Sequence, residues 1–253
     1  INNGILTINS SSSNSGSLIV EGTSTGNITY NRSVTVNWHL TSSPVIGQNY
    51  NNDWVSANSI ASGSQNVNQR GIATYNNNSG SWNYMLKDDS SSFSNGVGYS
   101  TFRTTAGNLS YTGTILTTST TQAISKGTTN SYNLIGNVYP SYIPLNFDAD
   151  NSDNFLTTNT SLLSEVTIWL WNGFSYNPIN HASSSQFIAP GQSFFVKSKP
   201  EGGMVSFSTS MQNHQTGTFL KKQQSRPEIR LFLSQGKNKK YADIFYIKNT
   251  TEG

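Results

Sequence analysis

Three histidines, one acidic loop and two groups of aromatic side chains are the places where this sequence offers chemistry. His39, His181 and His214 are widely separated, and none has a second histidine at the spacing of a metal-ligand pair. His39 follows Trp38 in a strand-like stretch and reads as a polar face position. Serine is abundant, but no G-x-S-x-G turn presents one as a nucleophile. GVG at 96–98 would need a helix N-terminus after it to cradle phosphate, and the residues that follow read as a strand. No residue is assigned a catalytic role, and the chain reads as non-enzymatic.

The acidic loop is DADNSDN, residues 148–154. Asp148, Asp150 and Asp153 stand there with Asn151 and Asn154, so several oxygen ligands share one short segment. Calcium takes six to eight oxygens in flexible geometry, which such a loop can supply. The loop lacks the glycine at position six and the glutamate at position twelve of a helix–loop–helix calcium site. Aspartate and asparagine are also ordinary turn formers. No cofactor is required by the sequence, and a structural calcium at Asp148, Asp150 and Asp153 stands beside the plain turn as a reading.

The aromatic groups are Trp169, Trp171, Phe174 and Tyr176, and, earlier, Tyr75, Trp82 and Tyr84. Trp169 and Trp171 share one face of a strand, because side chains repeat every two residues. Exposed, Trp169, Trp171, Tyr176 and Trp82 would stack on the apolar C–H faces of sugar rings. Buried, the same residues are core in a chain poor in aliphatic side chains. Their recurrence at matching points of two repeats favours core.

Elements that could position these groups are strands. Of the 253 residues 11% are charged, against about 25% in an average domain. Hydrophobic residues make up 34% and aromatics 11%, so the core leans on Tyr, Phe and Trp. The abundant Ser, Thr, Asn and Gly are poor helix formers, which predicts an all-β fold. One helix is expected within DNFLTTNTSLLSE (153–165), capped by Asp153 and lined by Phe155, Leu156, Leu162 and Leu163. There is no cysteine, which excludes disulfides and thiolate chemistry. The formal charge of +3 lies mostly in KKQQSR (221–226) and KNKK (237–240), two solvated segments without interleaved aromatics, so nucleic acid is not an expected partner. No stretch is apolar enough to span a membrane. INNGILTI reads as the interior of a larger polypeptide, with other domains of the same chain as partners.

Three glycine-led strands open the chain: GILTI (4–8), GSLIV (16–20) and GNITY (26–30). They suit a β-meander or the last rungs of a β-solenoid. An internal repeat follows. TVNWHLTSSP (35–44) parallels NSYNLIGNVYP (130–140), IATYNNNSGSWNYM (72–85) parallels IWLWNGFSYNPI (168–179), and SNGVGYSTFRTTAGNLSYTGTI (94–115) parallels IAPGQSFFVKSKPEGGMVSFSTSM (188–211). Leu40 aligns with Leu134, Tyr75 with Trp171, Gly98 with Gly191 and Gly107 with Gly203, at offsets of 94, 96, 93 and 96 residues. The expected organisation is an N-terminal piece at 1–34, two related antiparallel β-sandwich-like units at 35–118 and 128–211, a linker at 212–227, and a β-hairpin at 228–253 that could begin a further domain.

Taken in order, GSLIVEGTSTGNITYNR, NWHLTSSPVIGQ, NLIGNVYPSYI, WLWNGFSY, FIAPGQSFFVKS and RPEIRLFL resemble a tract of large cell-surface proteins of Bacteroidota that use type IX secretion. In that tract the central phrase runs NLIGNPYPS, and Val138 stands here where the relatives carry proline. The resemblance spans residues 16–248 and implies an extracellular or outer-surface location on a Gram-negative bacterium. It also implies export by the type IX machinery, through a sorting domain beyond the residues in hand. With it, the expected function is a non-catalytic structural or adhesion module, an adhesin-type spacer whose partners are surface glycans or other cell-surface proteins. The alternatives are a carbohydrate-binding module or an accessory domain of a secreted polysaccharide-degrading enzyme.

Overall fold

A computed structural model describes residues 6–215, 228–235 and 238–245, and the chain divides into two units, residues 1–221 and 222–253. The first unit begins with β1 (Leu6–Asn9), β2 (Ile28–Val34), β3 (Asn37–Thr41), helix α1 (Asn52–Ala57), β4 (Gln69–Asn76), β5 (Ser81–Leu86), β6 (Tyr99–Arg103) and β7 (Gly107–Gly113). It continues through β8 (Thr120–Ile124), β9 (Tyr132–Gly136), β10 (Ile143–Pro144), helix α2 (Phe155–Asn159) and β11 (Leu163–Trp171). β12 (Tyr176–Ile179), β13 (Phe187–Ile188), β14 (Ser193–Ser198) and β15 (Gly203–Phe207) complete it. The fold is all-β, as its composition predicts.

Alternation decides how these strands layer. Along β2 every second residue is buried, and β2 pairs antiparallel with β7 from Ile28↔Gly113 to Val34↔Gly107. The buried faces of β2 and β7 lie over a four-stranded sheet of order β3-β6-β4-β5. Val34, Ile72, Leu109 and Tyr111 fill the space between, with Trp54 from α1 and Phe93 from a loop. Farther along, β8 pairs with β15 over a second four-stranded sheet, of order β9-β14-β11-β12. Phe155, Ile168, Phe194 and Phe207 fill that core. The strand order of the first lobe thus recurs in the second, with a short helix at the same point of each. Gly107 and Gly203 both open their strands at φ of 150°. Gly191 (φ 71°) finds its conformational counterpart in Gly96 (φ 80°), not in Gly98, whose φ is not positive.

Three expectations change. Residues 28–34 are an inner strand of the first lobe, so that lobe begins before position 35: Ile28, Tyr30 and Val34 are buried there. β1 lies parallel to β2, Leu6 opposite Ile28, which is the pairing of stacked rungs and not of a meander. GSLIV forms no strand, and Leu18 instead donates its N–H to the Pro140 carbonyl at 2.7 Å. Finally, the helix expected over 153–165 spans only Phe155–Asn159, capped by Asn154 and not Asp153, and Leu163 begins β11. Helix α1 had no periodicity to announce it. Both helices are about one turn long and rest on an asparagine cap and a buried aromatic, Trp54 or Phe155. Asn154 Oδ1 accepts from the Thr157 N–H at 2.8 Å, and its Nδ2 donates to the Asp150 carbonyl at 2.7 Å. Asn154→Ala is expected to lower stability by about 1–2 kcal/mol, read as a lower urea midpoint at unchanged slope.

The two lobes meet through the outer faces of their four-stranded sheets, where Leu40, Leu134 and Phe195 form a third buried cluster. Backbone joins backbone at this seam. The Gly98 N–H donates to the Leu134 carbonyl at 3.2 Å, and the Gly136 N–H to the Gly96 carbonyl at 2.9 Å. Ser42 donates its N–H to the Gly191 carbonyl and its hydroxyl to the Asn137 and Gln192 carbonyls, each at 3.1 Å. NLIGNVYPSYI is the second lobe's side of this junction. Leu134 faces the seam cluster and Ile135 the sandwich core, as alternation requires. Asn137, fully buried, donates to the Ser141 carbonyl at 2.7 Å and accepts from the Tyr139 N–H at 3.0 Å. The Tyr139 hydroxyl reaches the Phe207 carbonyl at 2.9 Å.

In the second unit, β16 (Glu228–Gln235) and β17 (Asn238–Phe245) pair antiparallel from Glu228↔Phe245 to Gln235↔Asn238. This is the hairpin expected at 228–253. The linker expected at 212–227 falls outside the described residues from position 216 onward.

Candidate functional site

The period of two that buries one face of each four-stranded sheet sends the alternate residues outward. In the first lobe these are Trp38, Leu40, Tyr75, Trp82, Tyr84 and Phe102. In the second they are Tyr132, Leu134, Trp169, Trp171, Tyr176 and Phe195. An outward sheet face is ordinarily polar, and here aromatics dominate it. Register sets them side by side: Tyr75 is opposite Trp82, Trp171 opposite Tyr176, and Trp38 opposite Phe102.

Phe195 is the hub, with only 6% of its surface exposed. Tyr75 stands edge-on to it at 5.1 Å between ring centres and 89° between planes. Trp82 (6.1 Å, 68°), Tyr132 (6.1 Å, 84°) and Tyr176 (5.5 Å, 78°) do the same. Tyr75, Trp82, Tyr132, Trp169, Tyr176 and Phe195 together line a pocket of about 350 Å³. Its walls come from both lobes, and every one of them is an aromatic ring.

Polar groups lie at the margin. The Asn130 side-chain amide donates to the Tyr75 hydroxyl at 2.8 Å. Lys197 pairs with Glu165, and its ammonium lies 4.9 Å from the Tyr132 ring centre and 5.4 Å from that of Trp169. The Glu165 hydrogen bond holds the Lys197 ammonium above its ordinary pKa. Burial raises the Tyr176 phenol, with neighbouring Tyr75 adding to the effect. The site therefore offers ring faces, phenol hydroxyls and one cation already in place. The volume falls at the lower end of small-molecule sites, about 300–1,000 Å³.

Of the four aromatics singled out in the sequence, Trp82, Trp169 and Tyr176 line this pocket. They are not sandwich core, and Tyr176 is 42% exposed. Trp171 stands behind the wall, tilted 53° to Tyr176, with Nε1 donating to the Trp38 carbonyl at 3.4 Å. The hairpin therefore carries no coplanar pair. Tyr132 and Phe195 are the pocket residues that sequence reasoning missed. Each lies in one of the repeated blocks, 130–140 and 188–211, but a repeat read in sequence does not say which strand face meets a second sheet.

The acidic loop is organised as turns. Asp150 Oδ1 accepts from the Ser152 and Asp153 N–H groups, both at 2.9 Å, and these bonds hold its carboxyl below the usual range. Asp148 Oδ2 accepts from the Ser185 N–H at 2.7 Å. Among the described residues no three His, Asp or Glu side chains converge as a metal-binding group. The histidines are equally dispersed: His39 Nε2 is 2.9 Å from the Thr35 carbonyl, His214 Nδ1 is 3.0 Å from the Ser17 hydroxyl, and His181 lies edge-on to Phe147. No described helix is long and apolar enough to cross a membrane. No protein-family model, curated protein or solved structure matches this chain.

Proposed function

We propose that this chain is a non-catalytic extracellular adhesion module of a secreted bacterial surface protein, and that it binds carbohydrate in the aromatic pocket at the lobe seam. One observation carries the reading: six aromatic rings from two lobes surround an open pocket on sheet faces that would otherwise be polar. A seam that served only to glue the lobes would gain most by closing around aliphatic residues at interior density. Pyranose rings present flat apolar C–H faces to aromatic walls, while their hydroxyls reach the Tyr75 and Asn130 groups at the margin. The resemblance of NLIGNVYPSYI and its companion phrases supports an outer-surface location and export by type IX machinery, with other domains of the same polypeptide as neighbours.

The test is affinity electrophoresis of the chain through gels containing soluble neutral polysaccharides. Retardation is expected, weakened by Trp82→Ala. No metal ligand lines the pocket, so chelator is expected to leave retardation unchanged. Equal mobility in all gels would favour the second reading, a structural spacer, whose supporting observation is the backbone bonding between lobes at Gly98, Gly136 and Ser42.

A further inference from the structure

A second pocket, of about 400 Å³, is lined by residues of the first lobe. Tyr84 lines it, and Tyr84 and Trp82 are alternate residues on the same face of β5, about 7 Å apart along the strand. Trp38 and Phe102 complete an aromatic wall, with rings 5.2 Å apart at 69°, and Trp38 meets Tyr84 at 6.1 Å. Opposite in character are Gln65, Gln69 and Arg70.

Arg70 is 5% exposed. Its Nε donates to the Leu86 carbonyl at 3.1 Å, but its buried Nη2 has no hydrogen-bond partner among the described residues. Asp89 is the acid that senses it, yet Asp89 Oδ1 accepts from the Ser91 N–H at 2.9 Å, and the Ser91 bonds, not Arg70, dominate its lowered pKa. Arg70 makes no ion pair with it among the described residues; Lys197–Glu165 is the pair found there. A buried cationic N–H left without an acceptor is costly, and a guanidinium is shaped for a carboxylate.

We infer that the glycan bound at the seam is acidic, and that Arg70 takes the carboxylate of a sugar seated against Trp38 and Tyr84. This rests on the carbohydrate reading of the first pocket. One oligosaccharide then spans both pockets, a ring against the Phe195 cluster and a uronate against Arg70. Lys197, neutralised by Glu165, adds little attraction of its own, so the preference for acid resides in Arg70.

The experiment compares retardation in gels of polygalacturonate, a neutral glucan and polyglutamate. Polygalacturonate is expected to retard the protein about tenfold more strongly than the glucan, in terms of apparent Kd, with the difference shrinking as salt rises. Arg70→Gln is expected to abolish that preference and leave retardation by the glucan. Because Arg70 is buried, a second variant guards against a folding defect: Gln65→Glu, on the exposed rim of the pocket, is expected to repel the uronate at unchanged thermal midpoint. Equal retardation by glucan and polygalacturonate, or an acid preference that survives both variants, overturns the role of Arg70 while the seam pocket stands. Polyglutamate matching polygalacturonate overturns the sugar specificity. Retardation by none of the three overturns the carbohydrate reading itself.

Discussion

Gly136→Ala is expected to destabilise the first unit by about 3 kcal/mol, at the upper end of the usual cost of overpacking. A Cβ at position 136 would overlap the Cβ of Ser42, and the neighbouring Val97 carbonyl stands 3.2 Å away. Ser42 cannot retreat, because its hydroxyl is held by the Asn137 and Gln192 carbonyls and its N–H by that of Gly191. The φ of Gly136 is not positive, so close approach alone excludes a side chain there. Urea unfolding provides the measurement, with Gly26→Ala as the control: a Cβ at position 26 meets nothing within 4 Å. If the two variants share one midpoint, the lobes do not pack through this contact. Gly98→Ala belongs to the same class, since its Cβ would stand 2.5 Å from Leu134 Cγ.

Trp169→Ala is expected to weaken retardation by polysaccharide at least thirtyfold in apparent Kd, the size of effect seen when a central aromatic anchor is truncated. Trp169 is a pocket wall, packed edge-on to Tyr132 at 5.3 Å, and one of the two rings beneath the Lys197 ammonium. Its removal opens that wall and frees Lys197 to move across it. Phe174, at the tip of the β11–β12 hairpin and 73% exposed, does not line the pocket. Phe174→Ala is therefore expected to leave binding within twofold (about 0.4 kcal/mol). A Phe174 effect as large as that of Trp169 would move the binding surface from the seam to the hairpin tip.

Several features of this site were legible before any tertiary structure. QSFFVKS and MVSFSTS announce strands by their short β-branched and aromatic runs, and Ser, Thr, Asn and Gly between them leave helices little support. NNSG and NG mark the hairpin turns after β4 and β11. Gly107 and Gly203 align in sequence and share one unusual dihedral. Where local chemistry was too short to carry a period, the reading failed. Helix α1 depends on Asn51 and a buried Trp54, and α2 on Asn154 and a buried Phe155. A cap is a single residue, and Asn occurs too often in this chain to single one out.

Most strands, the hairpin turns and the order of the repeated elements were determined by the amino-acid sequence itself, because strand propensity and turn chemistry act over a few neighbouring residues. GSLIV, which forms no strand, is the exception. The meaning of the aromatics was decided by tertiary structure. Trp82, Trp169 and Tyr176 look the same in sequence whether they lie in a sandwich, face water or wall a pocket. Phe195 gathers them together with Tyr75, which lies 120 residues before it in the chain (195 − 75), and Gly98 and Gly136 allow the backbones to approach closely enough for it to do so. Such contacts depend on which outer face meets which. That choice belongs to the packing of two whole sheets, and no window of local sequence encodes it.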